Sequence, residues 1–263
     1  MERVSLIGAG NVATHLARAF ASAGYRIGQV YAPHIESAAL LAGEVGAASV
    51  DSLSGIDGES DLYIVSVKDT AVAETLEKVV SSGSGAVSKL WVHTAGSIPV
   101  DVFPQEFAHC GVLYPLQTFS KNVLVDMSQV PFFTEGRDED SEAAIRRAAY
   151  VISDHVYHAD SAGRRQLHIA GVLGCNMAMY MWALAADVLD RAGYGFEVLR
   201  PLLQATLDKA CTSSPMAGMT GPARRGDLAV LEAHIADLPD NIAPVYRFVN
   251  NEILRHFGYD ELK

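Results

Sequence analysis

The chain has 263 residues, 49% of apolar types and 19% charged, which excludes a disordered protein and, at roughly 150 residues per domain, suggests two domains. Acidic side chains outnumber basic ones, 31 to 20, for a net charge of -11; this argues against a dedicated nucleic-acid binder, which presents a basic face. The three cysteines, Cys110, Cys175 and Cys211, are far apart and in no metal-ligand spacing, so free thiols in a reducing compartment are expected. The sequence runs at once into an apolar stretch with no basic leader, so a cytoplasmic protein without a secretory signal is expected.

Residues 4–7 form a short apolar run, and Gly8-Ala9-Gly10 follows. Val12, Ala13, Leu16, Ala17 and Phe20 then recur with helical spacing up to Gly24, a good C-terminal cap. The pattern predicts strand, tight turn, helix. A second strand is predicted over 27–31, a helix around 36–42, strands over 62–67 and 89–93, and a helix over 71–80 between those two. Strands alternating with helices at this spacing imply right-handed crossovers and a parallel sheet. Further strands are expected at 111–114, 131–134 and 155–158. The acidic stretch 135–142 has a minor reading as a cation site, but the solvated first turn of a helix over 143–151 is favoured, because carboxylates there complement the helix dipole. From residue 161 only helices are predicted, over 161–192, 196–212, 226–237 and 241–257. The fold class is therefore α/β: a Rossmann-like, doubly wound, mostly parallel sheet over 1–155, then an all-α domain over 156–263.

One segment is long and apolar enough to cross a bilayer: from Ile169 to Ala186 the only strongly polar side chain is Asn176. Its many Ala and Gly residues, that Asn and the lack of a second span favour instead the buried centre of a helical domain or a subunit interface, with no membrane partner. Its small residues, among them Gly171, Gly174 and Ala178, permit close helix approach, and a homodimer through the C-terminal helices is expected.

The stretch VSLIGAGNVA, residues 4–13, matches G-x-G-x-x-A between a buried strand and a helix. Gly8 permits the turn, Gly10 lets backbone approach a diphosphate, Ala13 allows close helix packing, and the amides of Asn11 and Val12 open the helix. The acidic residue that clamps the ribose of NAD at the end of the second strand is missing. Tyr31-Ala32-Pro33-His34 stands there instead. NADP is therefore favoured over NAD, with Ala32 and His34 beside the ribose; the arginine expected for a ribose phosphate is missing as well. Two later strand ends should border the cofactor, Ser66 and Val67 in one and Thr94 and Ala95 in the other. Asp69 reads as the N-cap of the next helix, with a cofactor contact as the lesser alternative, and His93 either ends its strand or borders the nicotinamide.

The glycine turn, VHTAGS (92–97), GVLYPLQTFS (111–120), LHIAGVLGCN (167–176) and TGPARRGD (220–227) together resemble the NADP oxidoreductases that join a Rossmann-like domain to a helical C-terminal domain of unknown function. The similarity covers nearly the whole chain. More distantly the chain is similar to pyrroline-5-carboxylate reductases, ketopantoate reductases and β-hydroxyacid dehydrogenases. The resemblance implies the fold and a nicotinamide cofactor, and leaves the substrate open.

In the hydroxyacid dehydrogenases a Lys, with an Asn one turn later on the first long helix of the second domain, flanks the substrate. Here His168 stands near the Lys position, Val172 one turn on, and Asn176 two turns on. Spacings of four and eight put His168, Val172 and Asn176 on one face of a regular helix, with Arg165 on the same side. The functional reading makes His168 a general acid for a carbonyl or imine, Asn176 a substrate-orienting residue and Arg165 a carboxylate holder; the bland one has them bond helix ends in a packed bundle. Gln117 and Thr118 read equally as contacts to substrate or the nicotinamide amide and as turn-stabilising residues. Arg224 and Arg225 read either as anion binders or as part of turn and cap chemistry. His155 and His158 lack a third ligand nearby, so no metal is expected. The expectation is an NADP-dependent oxidoreductase of a small molecule; a nucleotide-binding sensor or scaffold without efficient chemistry, or a deazaflavin-linked reductase, is the alternative.

Overall fold

A computed structural model describes residues 2–263. Eight strands form one sheet: β1 (Arg3–Ile7), β2 (Arg26–Tyr31), β3 (Ala48–Val50), β4 (Leu62–Val65), β5 (Leu90–His93), β6 (His109–Pro115), β7 (Phe132–Gly136) and β8 (Val156–His158). Their order is β3-β2-β1-β4-β5-β6-β7-β8. The chain returns to the middle after β3, so the order reverses between β1 and β4, the place where open α/β sheets bind ligands.

Alternation explains the two-sided core. In β4, Leu62 and Ile64 face one apolar cluster while Tyr63 and Val65 face the other, because successive strand side chains point to opposite faces. On the first side lie α1 (Asn11–Ser22), α2 (Ile35–Val45) and α4 (Glu139–Tyr150), contributing Leu16, Phe20, Leu41 and Ile145. On the other, α3 (Val72–Ser81) adds Val72, Leu76 and Val79. Trp91 is fully buried there, stacked on Tyr63 at 4.5 Å, its Nε1 donating to the Ala86 carbonyl at 2.8 Å. Each such side chain contributes roughly 1.5–3 kcal/mol on burial.

Three features depart from the sequence reading. The three-residue β3 shows no period of its own and is held by pairing with β2. β7 runs antiparallel to β6, and β8 follows β7, so the far edge of the sheet is reversed. The helix predicted from residue 143 begins at Glu139, because Asp138 accepts the Ser141 amide at 2.7 Å and starts it one turn earlier; Glu139, Asp140 and Glu142 fill its first turn.

Beyond β8 the chain is helical. It continues through α5 (Ser161–Gly171), a π-helical segment Val172–Met177, α6 (Ala178–Arg191), α7 (Arg200–Thr212), α8 (Pro222–Arg225), α9 (Leu228–Asp237) and α10 (Ala243–His256). One compact unit ends at Cys175 and a second starts at Asn176, the second having a small core of Ala223, Leu231, Leu254 and Leu262.

The apolar helix is not buried in a core of its own chain. Ser161–Arg191 is long and apolar enough to cross a membrane by length and composition, and 6% of its most apolar window is buried. Leu173, Met177, Met179, Tyr180 and Trp182 are exposed, and in α6 only Leu184 is buried. Apolarity reports that such a face must be covered and carries no information on which molecule covers it.

Candidate active site at the ends of the parallel strands

Register brings the strand ends level. Ile7 pairs with Tyr31 and with Val65, Val65 with His93, and His93 with Val112. The residues just past these pairs, Gly8, Ala32, Ser66 and Thr94, therefore line one edge of the sheet.

Gly8 has φ +127, and a Cβ there would lie 2.2 Å from the Ser66 carbonyl oxygen, so only glycine fits between β1 and the end of β4. This also brings Gly8, Ser66 and Val67 together. Gly10 differs. It is extended, and a Cβ on it would meet nothing within 4 Å. The chain itself has no need of its smallness, and the space in front of it stays open. The first intrahelical bond of α1 runs from the Thr14 amide to the Gly10 carbonyl at 3.0 Å, which leaves the amides of Asn11, Val12 and Ala13 to face outward from the helix start. That donor set fits a diphosphate.

The ribose end is sparser. Ala32 is buried with its amide bonded to Val50 at 3.2 Å, Pro33 has no amide proton, and His34 is exposed at the start of α2 without capping it. Thr94 and Ala95 close the edge near β5. The Thr94 amide bonds to Val65 at 3.1 Å, and the Ala95 amide donates to His93 Nδ1 at 3.2 Å.

Residues 161, 164, 168 and 171 form the inward seam of α5. Ser161 donates to Glu135, and its hydroxyl accepts the Val100 amide. Arg164 is fully buried, paired with Glu135 and donating to the Ile98 carbonyl at 2.6 Å. His168 Nδ1 lies 3.3 Å from the Tyr114 hydroxyl, and Gly171 rests near Leu116. The registers match: four helical residues advance about 6 Å and two strand residues about 6.6 Å, so a helix anchored at Glu135, level with Val112, carries His168 to Tyr114. Gly96 is the floor of this pair, since a Cβ on it would lie 2.9 Å from both His168 Nδ1 and Tyr114 Cζ.

Burial, first, and Asp69, second, raise the Tyr114 pKa above its ordinary value of 10. Asp69 makes no capping bond; it opens a short 3-10 turn ahead of α3. His93 is buried behind this edge, its ring stacked near Phe103, and burial together with the Arg164 charge lowers its pKa to about 3. The imidazole is neutral.

The other sequence candidates lie elsewhere. Arg165 is exposed, and the inward arginine is its neighbour Arg164. Asn176 is exposed in the π-helical segment, which replaces the regular helix on which the spacing of eight was counted. Gln117 and Thr118 are exposed, the Gln117 side-chain Oε1 accepting the Thr118 amide at 2.8 Å in a local turn. In the helical unit Arg224 sits 4.0 Å above the Phe257 ring and Arg225 pairs with Asp227 at 2.9 Å, so both serve that turn. The sequence reading passed over Tyr114 and Arg164 as site-forming groups; the one signal for Arg164 was its spacing of four from His168.

A Rossmann-like sheet with a diphosphate-fitting elbow and an imidazole set beyond its strand ends defines a nicotinamide-dependent oxidoreductase. Residues 3–90 match the family described as NADP oxidoreductase coenzyme F420-dependent, and residues 130–253 match a domain of unknown function. The chain is 40% identical to a protein described as a putative NADP oxidoreductase from Bacteroides fragilis, with TM-score 0.90 over 97% of this chain and 98% of that one. It belongs to this NADP oxidoreductase family and is an NAD(P)-dependent oxidoreductase. The fold alone is shared with a Thermotoga maritima protein (19% identity, TM-score 0.69, 97% of each chain) and with a reductive aminase from Aspergillus terreus in complex with NADPH and ethyl-5-oxohexanoate (17% identity, TM-score 0.73, 99% of this chain and 96% of that one). No protein of curated function matches the chain.

Proposed function

We propose that the protein reduces a small carbonyl or imine compound with NADPH, His168 delivering the proton. The observation that carries this reading is the placement of His168 on Gly96, beyond the same strand ends that hold the glycine elbow. Bound nicotinamide supplies the hydride, which bonds to the carbonyl or imine carbon. The chain holds the diphosphate on the amides of Asn11 and Val12 with Gly8 and Gly10 at the turn, and lays Ser66, Val67, Thr94 and Ala95 along the nicotinamide side. His168, as imidazolium, gives its Nε2 proton to the oxygen or nitrogen that gains the electron pair, and is left neutral. Arg165, exposed next to the inward Arg164 and without a side-chain partner among the described residues, is proposed to hold a carboxylate of the substrate. The NADPH complex of the reductive aminase, a protein of the same fold, supports the choice of NADP.

The exposed apolar side chains of Ser161–Arg191 support a homodimer covering that helix, rather than a bilayer, because the polar residues Ser161, Arg164, Arg165 and His168 occupy its first turns. Sedimentation over a hundredfold concentration range is expected to give a dimer mass; a monomer throughout would remove this part. For the reaction, calorimetric titration with NADPH, NADH and a reduced deazaflavin is followed by the loss of reduced-nicotinamide absorbance with panels of ketones and cyclic imines. Tight NADPH binding with turnover that His168→Ala lowers by roughly 100-fold or more is expected. Nucleotide binding without turnover on either panel would remove the carbonyl and imine substrate classes, and no binding would end the proposal.

A further inference from the structure

Tyr114 belongs to neither the glycine elbow nor the helix that carries His168, yet its hydroxyl is the one side-chain group bonded to the imidazole among the described residues. The ring is held edge-on, its centroid 6.2 Å from that of His168 and 65° out of plane. Gly96 leaves room for this contact and for nothing larger. His168 Nε2 makes no hydrogen bond among the described residues, so one ring nitrogen is taken by the protein and the other is free.

We propose that Tyr114 is a positioning residue: its hydroxyl oxygen accepts a hydrogen bond from His168 Nδ1–H and so reserves Nε2 as the nitrogen that exchanges a proton with substrate. The inference rests on the reading of His168 as the proton donor. An imidazolium that gives up its Nε2 proton must keep the other on Nδ1, which needs an acceptor there in the neutral state. A hydroxyl oxygen can be that acceptor. Burial, with the Asp69 charge adding to it, raises the Tyr114 pKa and keeps the phenol protonated, and a protonated phenol still has an oxygen lone pair to offer Nδ1. Arg164, one turn earlier on α5, is paired with Glu135.

The deciding experiment is nitrogen-15 NMR of His168 in the resting protein, in wild type, Tyr114→Phe and Gly96→Ala. Above the imidazole titration the wild-type ring is expected to carry its proton on Nδ1, and both variants to shift toward the Nε2–H tautomer. In turnover, Tyr114→Phe is expected to lower kcat roughly two- to tenfold, the range of one neutral hydrogen bond, with KM unchanged and the basic limb of the pH profile moved to lower pH. A wild-type ring protonated on Nε2, or identical nitrogen shifts in wild type and Tyr114→Phe, would overturn the proposal. The NMR arm needs no substrate, so full activity of His168→Ala would dispose of the catalytic reading while leaving the Tyr114 contact judged on its own spectrum.

Discussion

His93 should make the protein acid-sensitive by an amount that can be worked out beforehand. The ring is fully buried at the end of β5, its Nδ1 taking the Ala95 amide and its Nε2 without a partner. Desolvation, then Arg164, lowers its pKa from 6.5 to about 3. In the unfolded chain the imidazole takes up a proton as pH falls through about 6.5, whereas in the folded chain it stays neutral until about 3. Between those values the unfolded state binds the extra proton, so the stability is fully present above about pH 6.5 and is lost at about 1.4 kcal/mol per unit on acidification. From pH 7 to pH 5 that is about 2 kcal/mol. His93→Asn removes the titration and keeps an acceptor for the Ala95 amide. Urea unfolding of both proteins at pH 7 and pH 5 is the assay, with the wild type expected to lose about 2 kcal/mol more than the variant. Equal losses would refute the claim that a neutral, desolvated imidazole supports this strand end.

The two glycines of the elbow should fail differently. Gly8→Ala is expected to cost at least about 2 kcal/mol in urea unfolding, because the methyl group meets the Ser66 carbonyl at positive φ. Gly10→Val should cost at most about 1 kcal/mol and weaken NADPH binding more than tenfold by calorimetry, since it fills only open space; equal effects of the two on folding would contradict the geometry. Arg164→Met should destabilise by about 3–5 kcal/mol by leaving the Glu135 carboxylate buried without its cation, and adding Glu135→Gln should recover part of that in thermal unfolding. Cys110, buried and with its thiol pushed up to about 11, should be alkylated at pH 8 only as fast as the chain unfolds, as read by peptide mass mapping; rapid labelling of the native protein would contradict its burial.

How much of this the sequence carried depended on the range of the rule involved. The elbow was legible because a strand, two glycines and a small residue act within ten positions of each other. The alternation of strands and helices was legible for the same reason; β3 and the reversal of β7 were not, since both are decided by pairing with distant strands. The placement of His168 needed one fact that no local pattern contains, namely which of two adjacent arginines faces the sheet. They differ by about 100° around the helix, and Glu135 selects Arg164. Tyr114 reads as one more residue at a strand end until the tertiary structure brings it to the imidazole. The π-helical segment has no marker in VLGCNM, so a spacing of eight across it did not convert into a shared face.

The Glu135–Arg164 pair has a practical consequence for anyone dividing this protein. Secondary structure changes character after β8, at His158, and that point invites a cut. A fragment ending there would lose the Ser161 and Arg164 groups that hold Glu135 and strip away the imidazole that faces Gly96. An excised nucleotide-binding module, or a chimera that exchanges helical halves between relatives, should keep the chain through Cys175, so that Arg164 and His168 travel with the sheet they are docked on.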